Sequence, residues 1–245
     1  MRIAIIADVH ANLAALEAVL KHAHGQRALD GVWCLGDMVG YGPDPGACIQ
    51  LLRQYDPICL VGNHDLAALS LLDTAEFNPD AAAAALWTAR QLNDEERHYL
   101  EGLPQVVEEG DFTMAHGTLR WPIWEYLYSY EAAMAHLQRQ ETRWGLVGHT
   151  HVPMLVVADE EGQGCQMYYL EDGAAVQLRQ GRLVINPGAV GQPRDGDPRA
   201  AYAVYDADAG TITIHRVEYD IAATQKRMAE AGLPPRLIQR LSYGQ

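Results

Sequence analysis

The stretch Ile3-Ala4-Ile5-Ile6-Ala7-Asp8-Val9-His10-Ala11-Asn12 decides how the rest of the chain is read. Five apolar residues lead to an acid, and a histidine follows two places on. A short unbroken apolar run is the pattern of a strand buried on both faces, as in parallel or mixed sheets. In open α/β sheets, ligands collect beyond the carboxyl ends of such strands. If the chain stays extended there, Asp8 and His10 point the same way, so a carboxylate oxygen and an imidazole nitrogen face one point. That donor pair suits a divalent metal ion. An acid after a strand is also a common cap or turn residue, so the reading depends on whether the chain repeats the theme.

The theme recurs along the chain. Leu13, Leu16, Val19 and Leu20 have helical spacing behind an Asn12 N-cap, which predicts a helix over about residues 12–24. Val32-Trp33-Cys34-Leu35 is a second buried strand, and it ends in Gly36-Asp37. A loop rich in Gly and Pro (38–46) and a helix over about 47–54 lead to a third strand, 57–61, which runs into Gly62-Asn63-His64-Asp65. Residues 66–103 read as helical, with Asn78-Pro79 and Asn93…Glu96 as start signals. A hairpin then delivers His116-Gly117, and a strand over 144–147 leads to Gly148-His149-Thr150-His151. Between them, the loop 118–128 holds Trp121, Trp124, Tyr126 and Tyr128; it could wall a pocket, although ordinary packing is the simpler reading.

From Val152 onward, short strands alternate with turns at Glu160-Glu161-Gly162, Glu171-Asp172-Gly173, Gln180-Gly181 and 206–210. This predicts an antiparallel second layer rather than further β-α-β units, with loop chemistry at Asn186-Pro187-Gly188 and 192–196. Residues 221–241 read as one or two amphipathic helices broken at Gly232-Leu233-Pro234-Pro235. The expected fold is α/β, a sheet-on-sheet core with helices outside. No repeat or linker divides residues 1–245, which predicts one domain.

Composition narrows the function. A chain of 245 residues can bury about 70–75% of its unfolded surface without staples. Four cysteines without CxxC spacing suggest a reducing, cytoplasmic setting. The apolar start is cut by Asp8 and is too short for a membrane span or secretory signal. A net charge of −14 argues against nonspecific nucleic-acid or membrane binding. It still allows a small phosphorylated substrate, because bound cations invert the local field. Oligomeric state is not legible.

The strand-end residues, in order, are Asp8, His10, Asp37, Asn63-His64, His116, His149 and His151. Five of the ten histidines lie within a few residues of the end of an apolar run, two of them, His116 and His149, beside a glycine. The spacing D-x-H, G-D, G-N-H-D, H, G-H-x-H resembles the calcineurin-like metallophosphoesterase superfamily from residue 3 to about 152, and Asn186-Pro187-Gly188 extends the likeness to about 195. The resemblance implies a four-layer sandwich of two mixed sheets flanked by helices, with a dinuclear metal site at the strand ends. By position it assigns Asp8, His10 and His151 to one metal, Asn63, His116 and His149 to the other, and Asp37 to a bridge. Mixed N and O donors suit Mn, Zn or Fe better than Ca or Mg. Two such ions about 3.5–4 Å apart bring a shared water to near-neutral pKa and neutralise a phosphate in in-line displacement.

By the same resemblance His64 is a non-ligand histidine, a hydrogen-bond donor to phosphate or a general acid. Asp65 would hold its ring in one tautomer or cap the next helix. Arg194 is a candidate phosphate contact, and Asn12 and Tyr41 are candidate substrate contacts. The second block continues Met38-Val39-Gly40-Tyr41-Gly42, without the Asp-Arg-Gly of protein Ser/Thr phosphatases and diadenosine tetraphosphatases. The third ends in Asp65 where protein phosphatases usually have Glu. The chain thus looks more like the small bacterial and archaeal phosphoesterases. Expected is a two-metal hydrolase of a small phosphodiester or phosphomonoester. The alternatives are a nucleotide pyrophosphohydrolase or a non-catalytic scaffold on the same fold.

Overall fold

The computed structural model describes residues 1–178 and 181–245, so the turn expected at Gln180-Gly181 lies partly outside the described residues. β1 (Arg2–Ile6) is the strand read first, and its alternation places it between two cores. Ile3 and Ile5 face Met114, Leu146, Ile185 and Ile214. Ala4 and Ile6 face Leu16, Val19 and Leu20 of α1 (Leu13–Gly25). A strand covered on both sides has no polar face, which is why its sequence shows no alternation.

β2 (Gly31–Cys34) and β3 (Ile58–Cys59) pair parallel outward from β1, with α2 (Pro45–Arg53) between them in sequence. β3 is only two residues long, shorter than the run 57–61 suggests. Past it the backbone keeps contact through Leu60 N donating to Cys34 O at 2.9 Å, then turns into α3 (Asn63–Ala68). That helix starts at Asn63 rather than Leu66, so Asn63, His64 and Asp65 form its first turn. α4 (Pro79–Gln91) and α5 (Asp94–Glu101) begin at the expected Asn78 and Asn93 caps.

The hairpin β4 (Val106–Glu109) and β5 (Phe112–Ala115) opens the second sheet, followed by α6 (Tyr130–Arg139) and β6 (Trp144–Leu146). The later strands are β7 (Pro153–Ala158), β8 (Cys165–Tyr169), β9 (Ala175–Gln177), β10 (Leu183–Pro187), β11 (Ala200–Asp206) and β12 (Thr211–Val217). They do not make a layer of their own, contrary to the expectation from their texture. β11, β12 and β9 extend the first sheet, whose order is β3-β2-β1-β11-β12-β9, whereas β10, β7 and β8 extend the second, β4-β5-β6-β10-β7-β8. Both sheets are mixed, since β11 covers the free edge of β1 antiparallel while β10 runs parallel to β6. Pairing these strands onto existing edges leaves fewer unpaired backbone groups than a separate sheet would. Asn186 and Pro187, expected in a loop, are the end of β10.

The sheets pack on each other, with α1 and α2 outside one and α6 outside the other, where Ala133 and Leu137 meet Met154, Val156 and Val184. This is the four-layer sandwich the resemblance implies. α7 (Ile221–Glu230) and α8 (Pro235–Arg240) close one end, packing Met228, Leu237 and neighbouring Leu241 against Tyr41 and Ala84. Among the described residues no helix is long and apolar enough to cross a membrane.

Candidate metal centre

The loops leaving β1, β2 and β3 of one sheet and β5 and β6 of the other meet at one end of the sandwich, and all seven expected ligand residues are buried there. Asp8, His10, Asp37, His149 and His151 adopt positive φ, at 54°, 48°, 54°, 66° and 61°. Left-handed backbone at a non-glycine residue is costly and persists only where its surroundings impose it. The local geometry therefore corrects the first reading of Asp8 and His10. They reach one point through left-handed turns after β1 has ended, not by the alternation of an extended strand. Those turns are held by Asp8 N donating to Gly36 O at 3.1 Å and His10 N to Asp37 O at 2.9 Å.

Two groups result. In the first, His10 Nε2 lies 3.1 Å from His151 Nε2, and Asp8 Oδ1 lies 3.3 Å from His151 Nε2. In the second, His116 Nε2 lies 3.1 Å from both His149 Nδ1 and Asn63 Oδ1. Asp37 Oδ2 joins them, 3.7 Å from His10 Nε2 and 3.3 Å from His116 Nε2. Within each of the sets Asp8–His10–His151 and Asp37–His116–His149, the donor atoms lie within 4.8 Å of one another.

The donor set fits divalent ions. Each imidazole uses its outer nitrogen on a backbone carbonyl: His10 Nδ1 on Val39, His116 Nδ1 on Leu35, His151 Nδ1 on Gln192 and His149 Nε2 on Trp124. Those nitrogens carry the proton, so the inner ones present lone pairs to the centre. Asp37 Oδ2 is buried without a hydrogen-bond partner. Burial lowers the pKa of His10, His149 and His151, which keeps them neutral as ligands must be. At His116 burial acts the same way but is outweighed by the Asp37 carboxylate, which lifts the ring to about 9. The middle of the site therefore favours positive charge.

Glycines allow the close approach. A Cβ on Gly62 would overlap Asp37 Oδ1, and Gly36, at φ +95°, would place one 2.8 Å from His116 Nδ1. Asn186 secures the Gly148–His151 turn by donating to Gly148 O at 2.6 Å and Thr150 Oγ1 at 2.9 Å.

The residues expected to act on substrate fare unequally. His64 borders the centre, its ring packed against Tyr41, Phe77 and His10 at 4.3, 4.8 and 4.9 Å. Burial lowers its pKa to about 4. Asp65 does not hold that ring. Its carboxylate accepts from the backbone N–H of Gly62, Asp37 and Val39 at 2.9–3.0 Å, and it caps α3. Burial and the charge of Asp37 push its own pKa to about 7. Aromatic packing, not a carboxylate, orients His64.

Asn12 is also spent internally. It caps α1, donates to Gly191 O at 2.9 Å and accepts from Thr224 Oγ1 at 3.0 Å, which ties both ends of its carboxamide into the fold. Tyr41 packs on His10 at 4.6 Å, and its hydroxyl accepts from Arg194 Nη2 at 3.4 Å. Arg194 makes no ion pair among the described residues, and its Nε is buried without a partner.

Three neighbours complete the surroundings of the centre. Tyr126 stacks on His149 at 3.9 Å and 6° between planes. Phe77 backs His64, and the Trp124 carbonyl orients His149. The aromatic loop 118–128 was the available signal for two of them; Phe77 carried none. With Trp121 they line a cleft of about 590 Å³ opening on Asn63 and His64.

Residues 1–210 match the calcineurin-like phosphoesterase superfamily domain, and the chain belongs to that superfamily. A metallophosphoesterase from Sphaerobacter thermophilus superposes with a TM-score of 0.90 at 48% identity, each chain covered over 100%. An uncharacterized protein of Methanocaldococcus jannaschii is 36% identical over 99% of this chain and 98% of its own. A symmetrical bis(5'-nucleosyl)-tetraphosphatase of Actinobacillus pleuropneumoniae is 26% identical over 55% of this chain and 52% of its own, so that match spans about half of each.

Proposed function

We propose that the chain is a two-metal phosphoesterase that hydrolyses a small phosphorylated molecule, a phosphodiester or phosphomonoester. One observation carries this reading: Asp37 Oδ2, buried and free of hydrogen bonds, stands between His10 Nε2 and His116 Nε2 and so joins two ligand groups. Two divalent transition-metal ions held by Asp8, His10 and His151, by Asn63, His116 and His149, and by Asp37 between them would supply a water acidified toward neutral pH and neutralise phosphate oxygens.

The remaining residues act around that core. His64, neutral at pH 7, offers an N–H to the phosphate or the departing oxygen, typically worth ~10²–10⁴ in rate. Arg194 offers a fork of donors to phosphate oxygens. Tyr41 holds His10, His64 and Arg194 in register. A scaffold role fits poorly, because burying seven polar ligand side chains costs stability unless something completes them. A single domain in the cytoplasm agrees with the four free thiols.

A second reading, a nucleotide pyrophosphohydrolase, is favoured by the aromatic cleft of Phe77, Trp121 and Trp124 beside His64, where a base could stack. The tetraphosphatase likeness points the same way despite the missing Asp-Arg-Gly. The test is turnover of bis-p-nitrophenyl phosphate, p-nitrophenyl phosphate and a nucleotide panel with added Mn, against a chelated control. Mn-dependent release is expected; none from any compound would refute the assignment.

A further inference from the structure

Two clefts adjoin the metal centre through Arg194, and the other arginines in them are treated oppositely. In the larger, about 760 Å³, Arg216 pairs with Asp195, and Arg199 with Asp197 at 2.7 Å and Asp172 at 3.0 Å. In the smaller, about 450 Å³, Arg194 meets Arg236 and Arg240 of α8 around one space. Among the described residues none of these three forms an ion pair with an Asp or Glu side chain, and Asp80 on the same wall reaches none of them. Arg240 Nε donates to a main-chain oxygen of Gln245, the last residue of the sequence, which lines the same cleft.

Clustered guanidinium groups with no Asp or Glu side chain paired to them are unusual in a chain with 32 acidic and 18 basic residues, where counter-charges abound. Burial and the like charges of Arg194 and Arg236 pull the pKa of Arg240 from 12.5 to about 10. Such crowding is relieved by a polyanion, and guanidinium forks match phosphate oxygens two at a time. The cleft borders the candidate metal centre. Tyr41 and Tyr126 line it, and their rings lie on His10 and His149.

We infer that Arg194, Arg236 and Arg240 bind a phosphate beyond the one at the metal centre, so that the substrate carries two or more phosphates in succession. The chemical class is an oligophosphate ester or anhydride, with α8 as the specificity element. The inference rests on the phosphoesterase reading for which phosphate is cut, and on the arginine cluster alone for how many are held.

The test compares adenosine 5′-mono-, di- and triphosphate as substrates of the full chain, with Mn in excess over nucleotide. KM should fall by about tenfold or more from mono- to triphosphate. Arg236→Ala, exposed and expected to fold, and Arg240→Gln should each raise the triphosphate KM roughly tenfold with kcat moving less. Arg240→Lys should recover part of that loss. The mono-to-triphosphate preference should shrink in the variants. Equal KM along the series, or equal losses on mono- and triphosphate, would overturn the inference. If nothing turns over, the hydrolase reading fails by itself. Titration calorimetry with the triphosphate then decides the arginine site: roughly tenfold weaker binding to Arg236→Ala upholds it, and unchanged binding overturns it.

Discussion

The two halves of the metal centre are built from nearly the same parts, yet they differ in charge and in exposure. The first half has a carboxylate of its own, Asp8, whose oxygens also accept from His149 N at 3.0 and 3.2 Å. The second has the neutral Asn63 in the matching place, and its share of negative charge comes only from Asp37. The first half is closed in by Tyr41 and the Gln192 carbonyl. The second opens through Asn63 and His64 onto the aromatic cleft. Anionic ligands raise cation affinity, so under the proposed two-metal function the first half would retain its ion and the second would meet substrate.

The largest way to break this asymmetry is to remove what both halves share. Asp37→Ala should bring bound divalent metal below one ion per chain and phosphoester turnover down by at least roughly 10³-fold. Elemental analysis and steady-state rates of the same sample check it. His64→Gln should lower turnover by ~10²–10⁴ while both ions stay bound; loss of an ion in that variant would move His64 from donor to ligand. A smaller change sharpens the charge argument. In chelator competition the Asn63 side should release its ion first, Asn63→Asp should tighten that step about tenfold, and Asp8→Asn should merge the two steps.

The smallest effect lies away from the centre and serves as its control. His136, on α6, is buried, accepts from Leu119 N at 3.2 Å, and has its pKa lowered to about 4 by burial. As pH falls through 6.5 the unfolded chain takes up a proton that the native ring refuses until about 4, so stability is lost across that window. From pH 7 to 5.5 the loss amounts to about 1 kcal/mol. Denaturant melts of wild type and His136→Gln should show the variant losing less. Identical slopes would mean that acid acts through groups other than His136.

The ligand set was legible because each member follows an apolar run at a fixed offset, and runs buried on both faces reveal themselves in composition alone. Asp65 and Asn12 were not legible in the same way. A carboxylate or carboxamide beside a ligand reads equally as a substrate contact or a cap, and only its partners show which: three amides for Asp65, a helix end and Thr224 for Asn12. The destination of the later strands was equally hidden, since short alternating segments pair with any open edge of the right register. Phe77, Arg236 and Arg240 belong to no motif, and only folding brings them to the centre.

By itself, then, the order of residues determined which strands are buried, where most helices begin and which side chains make up the candidate ligand set. These properties depend on near neighbours and on periodicity. Tertiary structure alone decided how the sheets share the late strands, that Asp65 caps α3 rather than orienting His64, the left-handed turns that aim Asp8 and His10, and the arginines that wall the cleft. Those depend on contacts between residues far apart in the chain, whose distances no local pattern encodes.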